Sequence, residues 1–546
     1  MNIALIQTNP LVGDFAGNVR SITNALTQAH KAQCRLAVLP ELALCGYPPQ
    51  DLLERSSFLE AHERALNELL EYTKKLKELS CVVGGLCRSS GPGKPLLNTA
   101  FVLQNGTILA QAHKRLLPDY DVYDDSRHFA GGQEATTFAC GQLFCALTIS
   151  EDLWWRQGEH GHNPLDDFML GSIVPDLLIN ISASPYHFGK QQERRQLFAS
   201  LCTTYNLPLI YVNQAGGQDS LVFDGHSLAM SNTGEVHAQA SSFNQDMLVV
   251  DFPFQADASA LPQPDNHIGE LAEALVCGLR DYVRNSGFNK VIIGLSGGID
   301  SALTAALACR ALGADNLLGV ALPSPYTSEQ SIDDAKQLAL NLGCAFECIP
   351  IQPAMDVYAQ MLAPFFIGLP ADVTEQNIQA RIRGNLLMAL ANKFNCLLLS
   401  TGNKSEVAVG YCTLYGDMCG AVAVLADVYK TQVYDLARWI NRDGEIIPQN
   451  TIIRPPTAEL KPGQLDQDDL PPYAVLDPIL QAYLEKGETV AAIANSLQVD
   501  IALVRDIVRR ICQNEHKRVQ ASLSIRVSRK AFGLGRRVPV IQGFRE

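Results

Sequence analysis

One short stretch, Gly294-Leu-Ser-Gly-Gly-Ile-Asp-Ser301, limits what this chain can fold into more than any other. It follows Lys290-Val-Ile-Ile, a β-branched run that reads as a buried parallel strand. It precedes Ala302-Leu-Thr-Ala-Ala-Leu-Ala-Cys309, an Ala/Leu-rich run that reads as helix. A strand, a tight glycine turn and a helix N-terminus make a place for an anion. Gly297 and Gly298 let backbone N–H groups approach a ligand with no Cβ in the way, Ser296 and Ser301 add hydroxyl donors, and the helix dipole favours negative charge. The stretch is not a Walker A loop, because the Gly-Lys-Ser/Thr ending is missing. Asp300 is the unexpected member. A carboxylate beside a phosphate repels it unless a cation lies between them, so Asp300 reads as a Mg²⁺ ligand.

The rest of the chain arranges itself around that unit. A length of 546 residues suits roughly three to four domain-sized units or two large α/β domains. Within residues 1–251, strands are expected at Asn2–Gln7, Leu36–Leu39, Cys81–Gly85, Thr99–Leu103, Phe144–Ile149, Leu177–Asn180, 208–213, Ser227–Ser231 and Met247–Asp251. Helices are expected at Asn18–Ala32 and Phe58–Glu78, and the mixture suits a layered α-β-β-α sandwich. Residues 252–269, rich in Pro, Ala and Asp, read as a linker. From 270 to 546 strands and helices alternate, with strands at Val291–Leu295, Leu317–Leu322, Cys344–Ile351 and Cys396–Thr401, which is a doubly wound α/β pattern. Residues 459–473 form an acidic, proline-bounded loop of the kind that is mobile when empty. Ile479–Asn514 reads as helical and the tail from Glu515 as basic.

Charge and cysteine usage narrow the partners. A net charge of −14 excludes a bulk nucleic-acid binder, so phosphates must be held by local sites. The fifteen cysteines are scattered through apolar segments without a Cys-x-x-Cys, and read as free thiols, mostly buried, in a reducing cytosol. Met1-Asn-Ile-Ala-Leu-Ile reads as a strand and not as a signal peptide, and no apolar run is long enough to span a bilayer, so a cytoplasmic protein is expected.

Ser296-Gly-Gly-Ile-Asp-Ser301 resembles the pyrophosphate loop of the ATP-pyrophosphatase family, whose members cleave ATP between its α- and β-phosphates to activate a substrate oxygen as an adenylate. The likeness sharpens downstream. Leu399-Ser-Thr-Gly-Asn-Lys-Ser-Glu406 and Gly410-Tyr-Cys-Thr-Leu-Tyr-Gly-Asp417 resemble NAD synthetases in particular. That resemblance implies ATP contacts at Gly294, Leu295, Ser296, Gly297, Gly298, Ile299, Asp300, Ser301, Thr401, Lys430 and Thr457, and deamido-NAD contacts at Asn377, Arg381, Glu406 and Lys517. Asn377 and Arg381, four apart, share one helix face. Glu406 is the second carboxylate for Mg²⁺, opposite Asp300. Arg383, two residues after Arg381, fits a helix-surface charge equally well.

Three segments of the first half carry a different chemistry. Leu39-Pro-Glu-Leu places Glu41 just past a strand, Ala112-His-Lys-Arg places Lys114 after another, and Leu147-Thr-Ile-Ser-Glu-Asp ends a third at Ser150. They resemble the Glu-Lys-Cys triad of the nitrilase superfamily, and within it the glutamine amidase domain of glutamine-dependent NAD synthetases. A glutamate takes the thiol proton, a lysine steadies the oxyanion, an acyl-enzyme forms on sulfur and ammonia leaves. By the same resemblance Tyr120, Ser184 and Lys190 hold glutamine. His160 and His162 flank Gly161 but lack an evident third metal ligand.

The chain departs from the pattern at the nucleophile. The family has Cys-Glu-Asp where this chain has Ser150-Glu151-Asp152, and Cys145 lies upstream at the wrong spacing. A hydroxyl ionises far less readily than a thiol of pKa about 8.5. Either the chain is a natural variant or it carries a Cys-to-Ser substitution, and in both cases the glutaminase is expected to be crippled. The resemblance spans nearly the whole chain. It implies amidation of nicotinic acid adenine dinucleotide to NAD through an acyl-adenylate, with ATP as co-substrate, Mg²⁺ as cofactor, ammonia reaching the synthetase half by an enclosed passage, and a homo-oligomer. Two alternatives stand beside it: an ammonia-only synthetase carrying a glutamine-binding module that does not hydrolyse, and another amidotransferase ligase on the same folds.

Overall fold

The computed structural model of the chain describes residues 1–91, 93–155, 161–171, 173–254 and 267–544. The chain divides into two compact units, Met1–Asp265 and Asn266–Glu546. Of the expected linker, residues 255–266 lie outside the described residues, while a helix, His267–Asn285, takes its last three positions. Among the described residues no helix is long and apolar enough to cross a membrane.

The first unit contains strands β1 (Asn2–Gln7), β2 (Leu36–Val38), β3 (Ser80–Arg88), β4 (Leu96–Gln104), β5 (Thr107–His113), β6 (Thr136–Cys140), β7 (Leu143–Ile149), β8 (Leu177–Ser182), β9 (Leu209–Asn213), β10 (Ala215–Gln218), β11 (Leu221–Asp224), β12 (Leu228–Met230), β13 (Val236–Gln239) and β14 (Asp246–Asp251). They form two six-stranded sheets, β14-β1-β2-β3-β4-β5 and β13-β12-β9-β8-β7-β6, and a small hairpin, β10-β11. The central pairs β1-β2-β3 and β7-β8-β9 are parallel and the outer pairs antiparallel.

Side-chain alternation builds the layers. In β1, Ile3 and Leu5 face the second sheet, where they pack with Leu147, Ile149, Ile179, Ile181 and Val212. Their neighbours Ala4 and Ile6 face the other way, against Ile22, Leu26, Ala65 and Leu69 of the helices Phe15–Lys31 and Ser56–Thr73. The second sheet is covered likewise by the helix Lys190–Tyr205, through Phe198 and Cys202. Strands buried on both faces explain the near-continuous apolar runs, and the layering is the expected α-β-β-α sandwich. The helix at Phe15 starts where Asp14 accepts a hydrogen bond from the Gly17 N–H.

The second unit contains β15 (Val291–Gly294), β16 (Leu317–Ala321), β17 (Ala345–Cys348), β18 (Leu397–Ser400), β19 (Val422–Ala423) and β20 (Leu523–Ser524). All pair in parallel, in the order β17-β16-β15-β18-β19-β20. The chain leaves β15 for β16 and β17 on one side, then returns to β18 on the other. This is the doubly wound order, and ligands bind such sheets at the carboxyl ends of the two strands flanking the reversal. Ile292, Val320 and Leu398 pack with Ile382 and Ala391 of the helix Val373–Phe394 on one face. The stretch from Ile479 to Asn514 is helical as expected, running through three helices, Tyr473–Leu484, Val490–Leu497 and Ile501–Gln513. Gly487 breaks the first interval, and Thr489 and Asp500 cap the starts of the second and third helices.

Candidate active sites

In the first unit, the chain leaves β2 and turns sharply, with Leu42 at φ +48°. That turn lies directly on Gly84 of β3. A Cβ at Gly84 would sit 2.3 Å from Leu42 N and 2.4 Å from Pro40 O, so only glycine fits. Asn18 steadies the turn from the first helix, donating to Leu11 O and Leu44 O. Glu41 projects from it into the interior. Its Oε1 accepts from Asn98 Nδ2 (2.7 Å) and Lys114 Nζ (2.8 Å), and its Oε2 from Ala183 N (2.9 Å).

Lys114 follows β5, and its Nζ also donates to Asp125 Oδ2 at 2.7 Å. Side-chain exposure is 0% for Lys114, 1% for Glu41 and 5% for Asp125. Burial alone would lower the lysine's pKa, but the two carboxylates override it and hold it well above its ordinary value, so Lys114 stays an ammonium.

Ser150 begins the turn after β7 and takes φ +46°, a left-handed conformation rare for a residue with a side chain. Asp152 straps this turn to the exit of β5. Its Oδ2 accepts from Ile149 N, and its Oδ1 accepts from both Arg115 N and Leu116 N. Burial pushes the Asp152 carboxyl up to about 6 despite those three donors. Ser182 Oγ donates to Ser150 Oγ at 3.2 Å, and the next residue, Ala183, is the one bonded to Glu41. The end of β8 therefore links Ser150 to the Glu41–Lys114 pair. Cys145 is fully buried between the sheets, where burial pushes its thiol up to about 12, so it cannot stand in as nucleophile.

The residues expected around glutamine line up along the same edge. Tyr120 OH donates to Glu151 at 2.9 and 3.1 Å. Lys190, at the start of its helix, places Nζ 3.8 Å over the Trp154 ring. Ser184 is fixed through its backbone, its N–H on Asn213 Oδ1 and its carbonyl accepting from Asn213 Nδ2. His162 pairs with Asp167 at 2.7 Å, while His160 lies outside the described residues. Asn98 and Asp125 went unnoticed in the sequence. Both are polar residues in ordinary surroundings along the chain, and only the folded pairing of β4 and the segment after β5 brings them to Glu41 and Lys114.

The second unit holds a cavity of about 290 Å³ at the carboxyl ends of β15 and β18. Gly294, Leu295, Ser296, Gly298, Ile299, Asp300 and Ser301 line it, with Thr401, Glu406, Lys430 and Thr457. Gly297 takes φ +76°, and a Cβ there would lie 2.3 Å from Ser331 O. The turn is closed by its own hydroxyls: Gly298 N donates to Ser296 Oγ and Ser301 Oγ donates to Gly298 O.

At the floor of the cavity Lys430 Nζ lies between two carboxylates, 2.5 Å from Asp300 Oδ2 and 3.1 Å from Glu406 Oε1. Asn403 holds the pair in register. Its Nδ2 donates to Asp300 Oδ1 (2.9 Å), and its Oδ1 caps the helix Lys404–Val409 by accepting from Glu406 N (3.0 Å). Burial pushes Glu406 up to about 8; Lys430 opposes that rise and Asp300 adds to it. Lys430 is held above its ordinary value, because Asp300 and Glu406 outweigh its burial.

Asn377, Arg381 and Lys517 do not line the cavity. All three hold the segment 410–417 beside it. Asn377 Oδ1 accepts from Thr413 Oγ1 (2.8 Å), Arg381 Nε donates to Leu414 O (3.2 Å), and Lys517 Nζ donates to Gly410 O and Cys412 O. Thr457 Oγ1 donates to Gln464 O within the acidic loop. Arg383 is a cavity residue and not a surface charge: it donates to Leu322 O, and burial lowers it to about 10. Arg454 also lines the cavity and had no sequence signal beyond its charge.

Known proteins share both halves. Residues 271–521 match the NAD synthase family and residues 2–149 the carbon-nitrogen hydrolase family. The chain is 46% identical to the glutamine-dependent NAD(+) synthetase of Synechocystis sp., over 99% of each chain. It is 42% identical to that of Thermotoga maritima, over 100% of this chain and 99% of the relative. Among solved structures, the glutamine-dependent NAD+ synthetase of Acinetobacter baumannii in complex with adenosine diphosphate is similar at a TM-score of 0.77 and 38% identity, covering 99% of this chain and 98% of that one.

Proposed function

This chain belongs to the glutamine-dependent NAD(+) synthetases, and from that premise we propose how its two sites share one reaction. The enzyme is a carbon–nitrogen ligase that amidates deamido-NAD to NAD at the expense of ATP, with glutamine as the family's nitrogen donor. The observation that carries the assignment of the synthetase site is the Lys430 ammonium between Asp300 and Glu406, beside an anion-binding loop at the strand-order reversal.

In the ligase step a carboxylate oxygen of deamido-NAD attacks the α-phosphorus of ATP. The bond to pyrophosphate breaks, and the loop N–H groups, the Ser296 and Ser301 hydroxyls and Lys430 take up the departing charge. Ammonia then attacks the acyl carbon and AMP leaves with the oxygen. Asp300 and Glu406 suit Mg²⁺, because two carboxylates already converge on one cation, Lys430, within the cavity. When bound, the metal neutralises phosphate charge. Thr401 and Thr457 contact the nucleotide. Asn377, Arg381 and Lys517 serve deamido-NAD through the segment 410–417 that they hold.

In the amidase step Glu41 is the base, Lys114 the oxyanion donor, and residue 150 the nucleophile, with Tyr120, Ser184 and Lys190 around glutamine. A serine with only a carboxylate for a base attacks an amide far more slowly than a thiolate. Ser150 thus favours a second reading in which this half binds glutamine and the synthetase half runs on free ammonia.

The exposed apolar ridge Val357, Met361, Phe365, Ile367, Leu369 and Val373 supports a homo-oligomer: a second copy would cover it beside the helix that carries Asn377 and Arg381. Sedimentation at micromolar concentration should show an oligomer, and an active, strictly monomeric enzyme refutes this. We place the enzyme in the cytoplasm, where its cysteine thiols stay reduced.

The direct test measures NAD formation from deamido-NAD and ATP with glutamine and ammonium supplied separately. Ammonium at alkaline pH should support turnover and glutamine almost none. No NAD from ammonium overturns the synthetase reading, and a better carboxylate substrate would favour another ligase.

A further inference from the structure

A second set of anion donors lies directly beside the phosphate loop, with Ser331 packed on Gly297. Ser328 caps the helix Glu329–Leu342, accepting from Ser331 N through its Oγ. Ser331, 1% exposed, accepts from Arg454 Nη1 at 2.8 Å. Arg454 Nη2 reaches Gly297 O at 3.0 Å, so the guanidinium ties this set to the phosphate loop itself. Each hydroxyl has one proton to give. Ser328 Oγ and Ser331 Oγ lie 2.9 Å apart, and each is also within donating distance of one carboxylate oxygen, Glu459 Oε1, at 3.0 and 2.9 Å. Glu459 belongs to the acidic loop and holds φ +47°, the left-handed region, to reach them. Withdrawing its carboxylate would leave the buried Ser331 O–H and the exposed Ser328 O–H without that acceptor, at a helix N-terminus beside the Arg454 guanidinium and the phosphate loop.

We infer that Ser328, Ser331 and Arg454 form an oxyanion subsite for the terminal phosphates of ATP or the pyrophosphate it releases, and that Glu459 is its resident anion, displaced when a phosphate enters. The inference rests on the reading of the 294–301 loop as the nucleotide's phosphate site. Glu459 then does two things: it keeps the donors satisfied while the site is empty, and it competes with product once pyrophosphate has formed. Pyrophosphate release would be helped by the returning carboxylate, with no covalent step.

The probe is inorganic pyrophosphate with magnesium, titrated calorimetrically into the full chain. Glu459→Gln keeps the side chain's shape and removes its charge, and should bind pyrophosphate roughly fivefold more tightly than the parent. Ser331→Ala should weaken binding by a similar factor in both the parent and the Glu459→Gln background. Pyrophosphate bound equally, or more weakly, by Glu459→Gln overturns the resident-anion role while leaving the phosphate loop intact. Pyrophosphate bound by neither form overturns the loop reading as well. Should Glu459→Gln melt early, Ser331→Ala decides alone: unchanged binding there removes the subsite.

Discussion

The amidase cluster and the synthetase cluster each set a lysine between two carboxylates, yet they do so in opposite settings. Lys114, Glu41 and Asp125 are sealed, with exposures of 0, 1 and 5%. Lys430 is buried, but its partners Asp300 and Glu406 keep 19 and 17% and open on a cavity. The first cluster is closed without a ligand: both oxygens of Glu41 and of Asp125 are bonded. That suits a neutral amide substrate, for which the only new charge is the oxyanion beside Lys114. The second cluster is provisional. It has the same two carboxylates to one lysine, but they open on a cavity in which Ser331 rests on Glu459, as befits the proposed site for a polyanion and its cation.

The comparison breaks most sharply at Lys430. Lys430→Met leaves Asp300 and Glu406 facing each other and should cost about 10³-fold or more in NAD formation from either nitrogen source. Glutamine binding, measured by calorimetry, should not change, because its site is in the other unit. Ammonia-driven turnover within tenfold of the parent would show that the synthetase cluster is not where charge is managed.

Ser150→Cys sharpens the contrast from the other side. It should raise glutamine-driven synthesis by about 10²- to 10⁴-fold and leave the ammonia-driven rate nearly unchanged. Strong glutamine use by the serine form itself would mean that another residue is the nucleophile.

The smallest change is Gly84→Ala. The added methyl has no room under the Glu41 turn, and overpacking of this kind costs about 1–3 kcal/mol. Melting of the first unit should drop and glutamine binding should be lost, while ammonia-driven synthesis continues. A crystal structure of the variant with Glu41 unmoved would refute the close-contact argument.

What could be read from the chain alone follows from where each signal lives. β1 spans Asn2–Gln7 as expected, because a strand buried on both faces advertises itself in an apolar run. β10 is Ala-Gly-Gly-Gln, which reads as a turn; it pairs only because the chain reverses at Asp219, φ +52°. The glycine loop was legible because its chemistry is contiguous. Arg454, Glu459 and Asn403 were not, since their meaning comes from neighbours between 3 and 157 positions away. Asn377, Arg381 and Lys517 were picked out as one group by resemblance, and the fold places them around one segment instead of in the cavity wall.

The left-handed backbone at Ser150 has a wider meaning. Nothing about a hydroxyl calls for φ +46°, and a glycine or asparagine would sit there with less strain. The main chain at this point is held by Asp152, which also grips the exit of β5, and by Asn180 of β8, whose Nδ2 donates to Ser150 O, a frame of several segments that cannot alter piecemeal. On the proposal that residue 150 is the nucleophile position, the atom on top of that frame can alter by a single exchange of oxygen for sulfur. Architecture and reactivity thus change at different speeds, and the fold preserves the posture of a nucleophile independently of whether the atom it presents can act as one.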